Sequence, residues 1–114
     1  MLRNNQAFPD DENGNVLWRM HQQGDNLAKA REIDFSVIFS NKEMALKFAV
    51  HLLCNNQKVS FSPYEEHETM PWQVQAHPIL TPTHENIGNY EEWLAQSAAA
   101  LGGCNDGWGC FAQQ

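Results

Sequence analysis

Arg31-Glu-Ile-Asp-Phe-Ser-Val-Ile-Phe-Ser40 is the stretch on which the fold turns. Ile33, Phe35, Val37 and Phe39 recur at every second residue with Asp34, Ser36 and Ser40 between them, the period of a strand with one buried face. Ile38 interrupts the alternation, so part of the second face is covered too and the strand is expected at the centre of its sheet. Downstream, Ser40-Asn-Lys-Glu43 reads as a capping box, and Met44, Ala45, Phe48, Ala49 and Leu52 follow at helical spacing until Asn55-Asn56. Val59, Phe61 and Pro63 alternate with Ser60 and Ser62 in a second strand, where Pro63 suits a sheet edge. Glu65-Glu-His-Glu68 forms a solvated hairpin tip. A third strand starts at Trp72 with Trp72, Val74 and Ala76 inward, and pairing is expected to stop near His77 because Pro78 follows.

Thr81-Pro82 sets a capping hydroxyl before a proline at the first helical position. Ile87, Tyr90, Leu94, Ala98 and Leu101 share the apolar face of the helix that follows, and Gly102-Gly103 ends it. Cys104 to Phe111 then make a turn and a last short strand. Upstream, Asp10 is expected to cap a helix with Asp11 and Glu12 in its first turn, weakened by Gly14 and terminated at Gly24. Residues 1–9 carry little pattern and are expected to fray, leaving 10–114 as one domain. With the first helix set aside, the order is β-α-β-β-α-β. Two right-handed crossovers give an antiparallel sheet in order 4-1-3-2 with both helices on one face, a ferredoxin-like α+β sandwich with an extra N-terminal helix.

Charge separates the two halves of the 114-residue chain. The net charge is −7 with 7 Lys and Arg and 14 Asp and Glu. Every basic residue lies at or before Lys58, where acids balance them, and the excess belongs to Glu65, Glu66, Glu68, Glu85, Glu91, Glu92 and Asp106. Without a basic stripe the chain is badly placed to neutralise phosphates, which argues against direct nucleic-acid binding. An acidic surface either confers solubility or attracts a basic protein segment. No apolar run approaches the roughly 20 residues that span a bilayer, and the N-terminus lacks a signal-peptide core, so the expected location is cytoplasmic. Cys54, Cys104 and Cys110 contain no Cys-x-x-Cys pair and are expected to be free, at least partly buried thiols.

Candidate chemistry is sparse. His21, His51, His67, His77 and His84 show no metal-ligand spacing, and there is no P-loop, nucleophile elbow or dinucleotide fingerprint, so no cofactor, metal or catalytic residue is expected. Glu85, Glu91 and Glu92 are expected to form a solvated acidic ridge on the last helix, with Trp93 at the core rim or exposed beside them as a binding anchor. Together with Asp106 they make the expected partner-binding set. A second use of the scaffold is small-molecule sensing or catalysis on the open sheet face near His77, and a third is self-association into a homo-oligomer through an edge or that face.

Two stretches resemble the family of the bacterial regulator of ribonuclease activity B, an inhibitor of ribonuclease E. The first is Gly24-Asp-Asn-Leu-Ala-Lys-Ala-Arg-Glu-Ile-Asp34 leading into the aromatic strand, and the second is Asp106-Gly-Trp-Gly109. Spacing and element order agree from about residue 14 to 112. The resemblance implies a ferredoxin-like fold and a non-catalytic regulator that binds an endoribonuclease. It also marks Gly24, Asp25, Leu27, Arg31, Asp34, Asp106, Gly107 and Trp108 as motif residues. Each of these also has a structural use: turns for the glycines, a local cap for Asp25, core packing for Trp108.

Overall fold

A computed structural model describes residues 3–114. Its elements are α1 (Glu12–Gln22), β1 (Arg31–Glu32), β2 (Asp34–Phe39), α2 (Lys42–Cys54), β3 (Val59–Pro63), β4 (Trp72–Ala76), β5 (Ile79–Leu80), α3 (His84–Ala99) and β6 (Cys104–Gly109). The result is a mixed α+β domain with three helices and two antiparallel sheets. The larger sheet runs β3-β4-β2-β6, and the smaller is the ribbon β1-β5.

β2 is central, and every residue from Phe35 to Phe39 is buried. Phe35 and Phe39 point to one face, where Phe39 meets Phe48 of α2 at 5.3 Å and Phe35 meets Tyr90 of α3 at 4.6 Å between ring centroids. Both helices therefore cover the same face. Val74, Leu52, Ile87 and Leu94 complete that core. Each such side chain contributes about 1.5–3 kcal/mol by leaving water. Ile38, buried on the opposite face, lies between Gln73 of β4 and Cys104 of β6.

Several boundaries differ from expectation, each for a local reason. The strand of residues 31–40 is broken at Ile33, whose amide bonds to the carbonyl of Pro78. The main pairing ends before Pro78 with the His77 amide bonded to the Lys58 carbonyl, as expected, but pairing does not end altogether, since Arg31 and Glu32 continue against Leu80 and Ile79. The cap of α2 is Asn41 rather than Ser40, its side-chain oxygen accepting from the amides of Glu43 and Met44. The cap of α3 is Thr83 rather than Thr81, accepting from Asn86, while Asn86 Nδ2 holds the Thr81 carbonyl outside the helix. α1 is capped by Asp11 instead of Asp10, through the Gly14 amide. The turn expected after Cys104 is a bulge within β6. Two residues of β2, Phe35 and Val37, span Trp108 to Asn105 across it, and Gly107 takes φ +92° there.

Ahead of α1, Arg3 donates to the carbonyls of Phe8 and Pro9 and to Asn15 Oδ1. Phe8 lies against Trp18 and His21, with centroids 5.3 Å apart in both pairs. Cys54 and Cys104 are exposed and only Cys110 is half-buried, so the expectation of three partly buried thiols is corrected; all three are free. Exposure follows from position: Cys54 lies off the apolar face of α2, and Cys104 opens an edge strand. Among the described residues no helix is long and apolar enough to cross a membrane.

Candidate functional site

The two motif stretches are built into different parts of the same end of the molecule. Asp25 follows the C-terminus of α1, where Gly24 at φ +90° turns the chain. Its Oδ2 accepts from Arg31 Nη1 at 2.7 Å, and both side chains are only 3% exposed. Arg31 spends its remaining donors on the carbonyls of Asn26, Lys29 and Phe111. One buried guanidinium thus fastens the link after α1, the start of β1 and the segment after β6. The Arg31 hydrogen bond holds the Asp25 carboxyl below the usual carboxylate range, with a further contribution from the nearby Gln113 amide, and Asp25 raises Arg31 in return. Cys110, beside this pair, has its thiol pushed up by burial, so it is a poor nucleophile at neutral pH. Leu27 lies against the core. The side chains of Asp25, Arg31 and Leu27 are thus engaged within the fold.

The second stretch borders an open cavity of ≈ 610 Å³ between the N-terminal half of α1, α3 and β6. Its lining includes Asp11, Glu12, Asn13, Glu91, Asn105, Asp106 and Trp108, and it contains no Lys or Arg. A hydrogen-bonded chain sets its shape. Trp108 Nε1 donates to Asn13 Oδ1 at 2.9 Å, Asn13 Nδ2 donates to Glu91 Oε1 at 2.6 Å, and Asn105 Nδ2 donates to Glu91 Oε2 at 3.0 Å. Glu91 therefore ties α1 to β6 across α3. The Gly14 amide, then His84, holds the Asp11 carboxyl below its ordinary value, so it stays charged at the cavity mouth. Tyr64, in the β3–β4 connection, lies close enough to Asp106 for that carboxylate to push its phenol up.

The expected partner-binding set is divided by this arrangement. Glu91 and Asp106 line the cavity, with motif residues Gly107 and Trp108. Glu85 lies at a separate hollow of ≈ 210 Å³ beside Phe8, Leu27 and His84. Glu92 is exposed and accepts from Gln96 at 3.4 Å. Trp93 is half-buried against Tyr90 and His51, at 5.5 and 6.4 Å, which is the rim position. The expected ridge of Glu85, Glu91 and Glu92 does not form a single face. At 100° per residue Glu91 is turned about 100° from Glu92, enough to aim it at α1. Asp11, Glu12, Asn13 and Asn105, which line the cavity, are not among the residues expected from the sequence. The two acids carried a complete explanation as helix-start residues, and the asparagines have no spacing signal.

The open face holds the other arrangement with chemical content. Asp34 Oδ1 lies 2.6 Å from His77 Nδ1, and His77 Nε2 lies 2.8 Å from Ser60 Oγ. The order carboxylate, imidazole, hydroxyl is that of a serine hydrolase. Ladder bonds from His77 N to Lys58 O and from Tyr64 N to Pro71 O bracket the Ser60–Gln75 pair, so the Ser60 amide points at β4. The nucleophile's own N–H, which would face a developing oxyanion, is therefore committed to the sheet. Ser60 Oγ also lies 3.5 Å from Gln75, and Gln75 donates to Ser36 at 3.0 Å, so the row reads as cross-strand pairing over β3, β4 and β2. Among the described residues, no group of three or more His, Cys, Asp or Glu side chains is placed to hold a metal ion.

No curated protein matches the chain significantly. The sequence model of one family, regulator of ribonuclease activity B, matches residues 10–110, from just before the cap of α1 to just past β6. That span takes in both motif stretches, the buried Asp25–Arg31 pair and the acidic cavity, so the chain belongs to the regulator of ribonuclease activity B family.

Proposed function

We propose that this protein regulates a ribonuclease without catalysing a reaction itself, by holding a basic segment of that enzyme in the cavity between α1, α3 and β6. The observation that carries the reading is the convergence of Asp11, Glu12, Glu91 and Asp106 on one open cavity that no cation lines. A Lys- or Arg-rich segment would gain from the four carboxylates. An arginine there could also lie over the half-buried Trp108 ring. Glu85 and Glu92 extend the negative field outside the cavity, and Trp93 supports the rim. The scaffold supports this role: its β3-β4-β2-β6 order, with both covering helices on one face, favours the ferredoxin-like assignment. The serine of the open face, with its amide spent, favours binding over chemistry.

The test is titration of the chain with a Lys/Arg-rich peptide from the ribonuclease, at low and high salt. Binding should weaken steeply with salt. Glu12→Lys with Asp106→Lys should weaken it at least about tenfold, ~1.4 kcal/mol, because two attractive contacts become repulsive. Both side chains are exposed, so the variant should fold normally. Binding indifferent to salt and to this double reversal would remove the cavity from the account.

A further inference from the structure

The edge of the sheet opposite the acidic cavity carries two unsatisfied features side by side. β3 is an edge strand. The ladder alternation that commits Lys58, Ser60, Ser62 and Tyr64 to β4 leaves Val59, Phe61 and Pro63 facing outward. The open edge thus offers the N–H groups of Val59 and Phe61 and the carbonyls of all three, Pro63 having no N–H to offer. Above it, Leu46, Val50 and Leu53 of α2 are 43%, 56% and 57% exposed, an i, i+4, i+7 stripe on a helix whose inner face is already satisfied by Ala45, Phe48, Ala49 and Leu52.

The direction of that stripe follows from the helix period. His51 faces α3, as its contact with Trp93 shows. At 100° per residue, Leu46 and Leu53 fall on the other flank of the buried face from His51, which overhangs β3. An exposed apolar stripe and an unpaired strand edge therefore share one side of the molecule.

We infer that this side is an interface between two copies of the chain, β3 pairing antiparallel with β3 of the second copy and the α2 stripes meeting across the same two-fold axis. Three observations select a second copy over an unrelated partner. The edge is complementary to itself: centred on Phe61, antiparallel pairing sends each Phe61 N–H to the partner's Phe61 carbonyl and each Val59 N–H to the partner's Pro63 carbonyl. Every outward N–H is used, and the missing proline donor falls where none is needed for that. The helix stripe suits the same symmetry, since Leu46 and Leu53 lie on the flank that overhangs β3, with Val50 beside them toward the outer face. Charge agrees as well. Lys58, which bonds Glu32 of its own copy at 2.6 Å yet keeps its side chain 70% exposed, comes opposite the end of the second copy's β3, beside that copy's Glu65 and Glu66. A parallel pairing would instead set like charges together. The surface is separate from the acidic cavity at the β6 edge, so the two proposals stand or fall independently.

Sedimentation equilibrium on the full chain, from micromolar to millimolar, tests this together with amide hydrogen exchange. The expected result is a species of twice the 13.0 kDa chain mass. In it the Val59 and Phe61 amides should slow at least about tenfold relative to the dilute chain. Val50→Lys with Leu53→Lys, both at exposed positions, should leave the circular dichroism spectrum unchanged, give a monomer and restore fast exchange at those amides. A chain that stays monomeric at millimolar concentration overturns the proposal. So does a dimer whose Val59 and Phe61 amides exchange as fast as in the monomer, and so does open-ended growth beyond two copies.

Discussion

Replacing Arg31 by methionine should lower the stability of the fold by about 3–5 kcal/mol, because it strands the Asp25 carboxylate in a site where both partners are now 3% exposed. For a domain of this size that is a fall in Tm on the order of 10–20 °C. The pH dependence separates this cause from lost packing. In the parent, the Asp25 pKa is depressed on folding, chiefly by the Arg31 hydrogen bond. The pair's contribution is therefore present above the unfolded pKa of about 3.9, and is lost as pH falls through the lower folded value. In Arg31→Met, burial without a partner reverses the shift, so folding is opposed while Asp25 is charged and the penalty fades once it protonates. The stability gap between parent and variant should narrow as pH drops from 7 toward 3. Urea unfolding at several pH values measures it, and a gap independent of pH would assign the loss to packing alone.

Gly14→Ala gives the second large effect, and helix propensity and structure disagree even on its sign. Alanine in the first turn of an exposed helix would gain about 1 kcal/mol over glycine. Here a Cβ would lie 1.8 Å from the Pro9 carbonyl oxygen, a backbone atom that cannot move without shifting the Arg3–Pro9 bond and the seat of Phe8 beside Trp18. The steric term wins, and the variant should lose about 1–3 kcal/mol. Thermal unfolding followed by tryptophan fluorescence is the measurement; a stabilised variant would mean that the N-terminal segment does not close on α1 as described.

That disagreement marks the limit of what was legible. The apolar alternation of Ile33 to Phe39 and the helical spacing of Phe48 and Leu52 each carry their own period, so the three helices and the four strands of the larger sheet could be read in order, whereas the two-residue strands β1 and β5 are too short to carry a period. Gly24 and Gly102, both at positive φ, were legible as helix stops. The caps were not, because Ser40 and Asn41, or Thr81 and Thr83, offer equivalent oxygens, and only the position of the next strand chooses between them. Gly14 was read as a weakness because its constraint, the approach of Pro9, is a tertiary contact. The site divided in the same way. Asp106 was legible as an acid of the charged half and Trp108 through the family resemblance, whereas the cavity position of Glu91 depends on two asparagines, 78 and 14 residues away, that no local pattern singles out.

The proposed seat of the basic segment is the acidic cavity. Titrating the ¹⁵N-labelled chain with the ribonuclease segment and following its amide resonances decides this most directly. The account predicts shifts concentrated at Asp11, Glu12 and Asn13 on α1 and at Asn105 to Trp108 on β6, with Ser60, Gln75 and His77 of the open face unmoved. Shifts centred on the open face, or none with a segment that inhibits alongside the intact protein, would contradict it.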